Sequence, residues 1–190
     1  AGCDVVVAQG TEAGGHTGRV AGMALIPQVV DAVDIPVLAA GSIVDGRGLA
    51  AALAFGCQGV WMGTRFIASH EARAADAYKK RIGEVGSDET TVTRCYSGKP
   101  MRVIANAYVE ARERDPDSLL RFPEQMYASV QEGTMSALGG VTEGIEPDRH
   151  CMPCGQGAGA ISDILSCREI VDRTVHEARR VIDGMSVYCG

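Results

Sequence analysis

Asp4-Val5-Val6-Val7-Ala8-Gln9-Gly10-Thr11-Glu12-Ala13-Gly14-Gly15-His16-Thr17-Gly18 joins a short apolar run to a glycine-rich loop that holds one histidine. Val5–Ala8 has the β-branched, uninterrupted apolar character of a buried strand. In parallel α/β proteins ligands bind at the carboxyl ends of the strands, where this loop begins. Glycines let backbone come close to a flat or anionic ligand. Histidine is the one side chain whose unperturbed pKa lies near neutrality. A lone histidine is more often a satisfied structural group, but its place between glycines at a strand end makes His16 a candidate acid or base. Glu12 reads as a structural group that binds the loop's own N–H groups.

The same pattern recurs downstream. A helix is expected over Met23–Val33, with Leu25, Ile26, Val29, Val30 and Val33 on one face and Pro27 in its first turn. Ile35–Ala40 reads as a second strand, ended by Gly41-Ser42. Arg47–Phe55 is an alanine-rich helix with Asp45 as N-cap, stopped by Gly56. Gly59–Met62 is a third strand, ended by Gly63-Thr64, and His70–Ile82 reads as a polar helix. Three βα units with continuous apolar strands mean a parallel sheet covered on both faces. An open sheet and a (β/α)8 barrel both fit, although three strands cannot close a barrel.

Beyond residue 85 the pattern changes. Thr90–Arg94 and Pro100–Ile104 are candidate strands, and Ala107–Arg114 a helix. Residues 116–150 are rich in turn formers, as in a separate, less regular subdomain. Ile161 to Ile182 reads as a long amphipathic helix whose apolar face is Ile164, Leu165, Val171, Val175, Ala178 and Ile182. Gly155–Gly159 precedes it as a ligand loop.

Composition narrows the function classes. A net charge of −6 without a Lys/Arg cluster argues against nucleic acid. No apolar run approaches the roughly 18 residues of a membrane span. The seven cysteines (Cys3, Cys57, Cys95, Cys151, Cys154, Cys167, Cys189) make a poor disulfide framework and read as reduced cytoplasmic thiols. The Cys151-Met152-Pro153-Cys154 stretch has too few ligands for a closed zinc site and lacks a redox helix behind it, so no metal is expected. The chain opens on Ala1-Gly2-Cys3-Asp4 immediately before a strand, which reads as a cut inside a fold.

Gly41-Ser42 and Gly63-Thr64 carry more weight together than either does alone. On adjacent parallel strands they would bring backbone N–H groups and small hydroxyls side by side, a setting for a phosphate ester. Ordinary βα-turn chemistry explains each pair about equally well. Arg65 reads either as a phosphate partner or as an ion pair on the helix side, the latter favoured.

Gly10–Gly18, then Ala39-Ala40-Gly41-Ser42-Ile43 with Asp45-Gly46-Arg47-Gly48, then Met62-Gly63-Thr64-Arg65-Phe66 resemble the nitronate monooxygenase family, formerly called 2-nitropropane dioxygenases. FMN-dependent enoyl-acyl-carrier-protein reductases and some NADH:quinone reductases are its close relatives. The resemblance covers residues 1 to about 105 and again Gly155-Gln156-Gly157-Ala158-Gly159 with the last helix. It implies an FMN-binding (β/α)8 TIM barrel with an inserted smaller subdomain. Of this the chain holds the C-terminal portion, about strands six to eight (1–85), the insert (86–150) and the closing segment (151–190). It further implies that Gly14 and Gly15 lie against the flavin, that Gly41, Ser42, Gly63 and Thr64 bind its phosphate, that Gly155 and Gln156 border the ring, and that His16 is catalytic. The implied reaction is oxidation of an alkyl nitronate or nitroalkane by O₂ to a carbonyl compound and nitrite. The alternatives are an NAD(P)H-dependent FMN reductase and an inactive barrel fragment. The open apolar edges of such a part-barrel point to aggregation or pairing, a homodimer being one form.

Overall fold

The structure is a computed structural model and describes residues 2–188. Val6–Gln9 (β1), Val37–Ala40 (β3) and Gly59–Trp61 (β4) form a parallel sheet in the order β1-β3-β4. Val6 pairs with Val37, and Ala39 with Val60. Side chains alternate between faces along a strand. Val6, Ala8, Val37, Ala39 and Val60 therefore turn to one side, where they pack with Ile26 of Gly22–Ala32 (α1) and Ala52 of Gly46–Ala54 (α2). Val5, Val7, Leu38 and Trp61 turn to the other, and there Trp61 is 62% exposed and Val7 40%.

Two helix starts follow from their caps. Asp45 accepts the N–H groups of Arg47 and Gly48 and begins α2 as its sequence position predicts. Glu12 takes the first N–H of α1, that of Gly22, on both carboxylate oxygens at 3.0 and 3.1 Å. α1 thus begins at Gly22, and Pro27 lies in its second turn rather than its first. The carbonyl that a residue-27 N–H would have bonded is that of Met23, an exposed residue, so water can serve it.

A second, antiparallel sheet has the order β2-β6-β5. Its strands are Gly15–His16 (β2), Thr90–Thr93 (β5) and Met101–Ile104 (β6). The two-residue β2 is the glycine loop itself: His16 pairs with Met101 and Gly15 with Arg102. Thr64–Ile67 (α3) and Asp76–Glu84 (α4) follow β4, and α4 begins six residues later than the polar pattern suggests because residues 70–75 run as turn and coil. Ala107–Glu113 (α5) starts at an Asn106 N-cap. The turn-rich stretch after it contains a helix, Glu124–Gln131 (α6), anchored by buried Gln125 and Ser129 on the Cys95 carbonyl.

The last helix, Cys167–Met185 (α7), starts six residues beyond the expected Ile161. Ser166 and Glu169 form a capping box that sets its first turn. Ile161 is buried in a different core, beside Tyr78, Ile82 and Met152, and so takes no part in the helix face. The face that packs down is Ile170, Thr174 and Ala178, whereas Val171, Val175 and Ile182 of the expected face stand exposed. α7 crosses α2 at Gly46, whose N–H donates to Glu177 Oε2 at 2.8 Å. No helix of the described residues is long and apolar enough to cross a membrane.

Candidate functional site

The loops that follow β1, β3 and β4 meet in one cleft of about 140 Å³, bordered by Gly14, Gly41, Ser42, Trp61, Gly63, Thr64, Gly155 and other residues of the same loops. Whole-ligand pockets run to roughly 300–1,000 Å³. This cleft has the size of one end of a cofactor rather than all of it.

Ser42 is the strained point. It has φ +55°, the one non-glycine at positive φ among the described residues. Left-handed backbone costs an L-residue about 1–2 kcal/mol. Two hydrogen bonds hold it there: its hydroxyl donates to the Glu12 carbonyl at 3.0 Å and accepts the Gly157 N–H at 2.9 Å. Thr64 does similar work, since its Oγ1 accepts the Gly155 N–H at 3.0 Å. Gln156 N–H donates to the Glu12 carbonyl at 3.0 Å. The Ser42 hydroxyl is therefore spent on stitching the loops together, whereas that of Thr64 accepts and keeps its proton without a protein acceptor among the described residues. What remains for an anion is the Thr64 hydroxyl and backbone. The N–H groups of Ser42 and Gly63 have no protein acceptor among the described residues. A Cβ built on Gly63 would meet nothing within 4 Å, so its backbone faces open space. Gly14 differs: a Cβ there would strike backbone of Cys154 and Gly155, so this glycine is needed for loop-on-loop contact. Strained backbone of this kind clusters at active sites and ligand clamps.

The segment 151–155 reaches the cleft along β6. Ile104 N–H donates to the Met152 carbonyl at 3.0 Å and Cys154 N–H to the Arg102 carbonyl at 3.3 Å, while Tyr78 Oη donates to the Pro153 carbonyl. Cys151 and Cys154 are fully buried, and burial pushes the Cys154 thiol up to about 12. They are packing groups, not nucleophiles. No cluster of three or more His, Cys, Asp or Glu is placed to hold a metal among the described residues. Gly155–Gly159 does not run into the last helix; its residues 156–160 form a 3₁₀ turn, and six residues then separate it from α7. Gln156 and Gly15 do not border the cleft directly.

His16 lies next to the cleft, not in its wall, and is exposed. Its carbonyl accepts from Gln9 Nε2 at 2.7 Å, and Gln9 does border the cleft. Its Nε2 is 2.8 Å from Ser97 Oγ. Burial, and then the Lys99 ammonium, hold the imidazole below its ordinary value of 6.5. Both effects favour the neutral ring, the form a general base requires. Arg102 completes the frame: its Nε and Nη2 donate to the Thr11 carbonyl at 3.2 and 3.1 Å, and its Nη1 to Thr90 Oγ1 at 3.1 Å. Arg65 points away from the cleft and pairs with Asp163 at 2.8 Å, as the favoured reading of it holds. Ser97, Arg102 and Gln9 were invisible as site residues in the sequence, because only the β2–β6 pairing brings the first two to the loop.

The sequence model of the nitronate monooxygenase family matches residues 1–177. A (3aS,4S,5R,7aS)-5-hydroxy-7a-methyl-1-oxo-octahydro-1H-indene-4-carboxyl-CoA dehydrogenase of Rhodococcus jostii (strain RHA1) is 34% identical over 217 residues, covering 97% of this chain and 61% of that protein. The structure of FabK from Thermotoga maritima superimposes with a TM-score of 0.84 at 34% identity, over 98% of this chain and 58% of that one. Nitroalkane oxidase from Streptomyces ansochromogenes gives 0.81 at 29% identity, over 97% and 54%. The chain spans about two fifths to three fifths of the length of the curated relatives it matches.

Proposed function

The chain belongs to the nitronate monooxygenase family, and on that premise we propose that it forms the phosphate-binding and proton-transfer part of an FMN-dependent oxidoreductase. In this reading β1, β3 and β4 are strands six to eight of a (β/α)8 barrel, residues 86–150 the insert, and residues 151–190 the closing segment. The substrate is an alkyl nitronate or nitroalkane, oxidised with O₂ to a carbonyl compound and nitrite.

One observation carries the reading. Three consecutive strand-end loops converge on a cleft where the Ser42 and Gly63 N–H groups have no acceptor among the described residues and Gly63 faces open space. That donor set fits a phosphate monoester, with Gly41, Ser42 and Gly63 contributing backbone and Thr64 its backbone and its hydroxyl proton. Gly14, Gly15, Gly155 and Gln156 would border the ring. Bound FMN supplies the electron chemistry with O₂. His16 removes the acidic proton beside the nitro group: its imidazole is accessible, and partial burial with the Lys99 ammonium favours its neutral form. Lys99, whose Nζ sits 3.8 Å from the Phe122 ring centre, is the cation that acts on the His16 ring.

The test has two stages. Trp61 is the single tryptophan and borders the cleft. FMN titrated into the protein is expected to quench its emission, and emission indifferent to FMN removes the cofactor from the reading. In the FMN-loaded enzyme, His16→Asn is expected to keep FMN, to slow turnover of the neutral nitroalkane by roughly 100-fold or more, and to spare preformed nitronate. Equal losses on both substrates would take the base role from His16. Rapid anaerobic bleaching of the flavin by NADH or NADPH would favour a reductase instead.

A further inference from the structure

We propose that Ser97 is a positioning residue that fixes the His16 ring as its Nε2–H tautomer and leaves the Nδ1 lone pair as the base. The proposal rests on the reading of His16 as the proton acceptor, but its geometry stands apart from any substrate. Ser97 is 0% exposed and lies in the connection between β5 and β6, 81 residues from His16. A serine hydroxyl has one proton to donate and two lone pairs to accept with. Around Ser97 Oγ there are three protein partners. His16 Nε2 is at 2.8 Å, the Lys99 N–H donates to it at 3.3 Å, and the Lys99 carbonyl accepts from it at 3.2 Å.

Only one assignment uses all three capacities at once. The hydroxyl proton goes to the Lys99 carbonyl, one lone pair takes the Lys99 N–H, and the other must take a proton from the ring. Nε2 therefore carries hydrogen. The opposite tautomer would have Ser97 donate to Nε2 and would leave the Lys99 carbonyl without its donor. His16 Nδ1 has no partner among the described residues, so the nitrogen freed of its proton is also the one free of protein contact.

The backbone of His16 is held independently. It pairs with Met101, its carbonyl accepts from Gln9, and the neighbouring Thr17 N–H donates to the Pro100 carbonyl at 3.2 Å. The Ser97 turn is itself closed by the Gly98 N–H on the Arg94 carbonyl at 2.8 Å. Removing the hydroxyl thus frees the ring without freeing the loop, which separates positioning from a structural role.

The tautomer is directly observable. In protein labelled with ¹⁵N at histidine, long-range ¹H–¹⁵N correlation spectra distinguish a protonated from an unprotonated ring nitrogen. The chain has four histidines, and His16 is assigned as the signal lost in His16→Asn. Above the ring's pKa, the wild-type protein is expected to show Nε2 protonated and Nδ1 bare. Ser97→Ala is expected to show both nitrogens averaged, and Ser97→Thr, which keeps the hydroxyl, to retain the wild-type pattern. A wild-type spectrum with the proton on Nδ1 overturns the proposal without recourse to any variant, as does an unchanged pattern in Ser97→Ala. In the FMN-loaded enzyme Ser97→Ala should slow the neutral nitroalkane roughly tenfold relative to preformed nitronate. If the tautomer pattern holds but that split is absent, Ser97 still positions the ring and it is the base role of His16 that fails.

Discussion

At the scale of single residues, the site depends on what keeps one imidazole neutral. His16 is held below 6.5 first by burial and second by Lys99. A base works only unprotonated, so activity on a neutral nitroalkane should fall as pH drops through the His16 pKa. Lys99→Met removes the like charge and leaves burial in place. The acid limb of kcat/KM for the nitroalkane is then expected to move to higher pH while staying below 6.5, and the limb for preformed nitronate is expected not to follow it. A limb that stays put, or moves to lower pH, would show that Lys99 does not act on this ring. Gly41-Ser42 and Gly63-Thr64 are legible as a pair of loops because each follows an apolar strand, and the structure brings both to one cleft. How they are used is not. The Ser42 and Thr64 hydroxyls bind loops to one another, a role set by residues as distant as Gly155 and Gly157. Ser97 and Arg102 carry no local signal, since a serine in a turn and an arginine in a strand are commonplace until β6 is paired with β2.

At the scale of elements, the tightest joint is that between α2 and α7. A Cβ on Gly46 would strike the Ala178 backbone nitrogen, the Thr174 carbonyl oxygen at 2.5 Å and Glu177 Cβ at 2.6 Å. Two of these are helix backbone and cannot rotate aside, so Gly46→Ala must push the helices apart. It would also stretch the Gly46 N–H bond to Glu177. Overpacking plus a weakened charge-assisted bond should cost on the order of 3 kcal/mol, read as a shift in denaturation midpoint. A loss below about 0.5 kcal/mol, the range of ordinary surface changes, would mean that the helices do not meet there. The βα units were legible because strand and helix periods differ and glycine punctuates them. The start of α7 is hidden in the sequence although its capping box, Ser166 to Glu169, is present there. The apolar residues Ile161, Ile164 and Leu165 extended the helical pattern upstream, and Ile161 in fact serves the core around Tyr78 and Met152. The helix α6 was hidden by its turn-forming neighbours, because its stability comes from buried Gln125 and Ser129 rather than from an apolar stripe.

At the scale of the whole molecule, the first sheet is covered on one face only. α1 and α2 bury Val6, Ala8, Val37 and Ala39, while Val5, Val7 and Trp61 on the opposite face remain exposed, Trp61 at the border of the cleft. Exposed contiguous apolar surface on a protein drives association, and the open edges of β1 and β4 offer unpaired backbone to the same contact. The net charge of −6 opposes it. These two terms respond to salt in the same sense. Added salt screens the repulsion, with a Debye length near 10 Å at about 0.1 M, and sulfate in addition strengthens apolar burial. The 190-residue chain is therefore expected to self-associate, with a light-scattering mass above 19.9 kDa that rises with ammonium sulfate. Trp61 emission should shift to the blue in step with the mass, since the contact covers it. Val7→Ser with Trp61→Ser should return the mass to the monomer value. The alternative contact is the α7 stripe of Val171, Val175 and Ile182, which is also exposed. Association through that stripe would raise the mass but leave Trp61 emission at its water-exposed position, and the double substitution on the sheet would have no effect. The two apolar faces are thus separated by one fluorophore, and a mass of 19.9 kDa at all salt concentrations would exclude both.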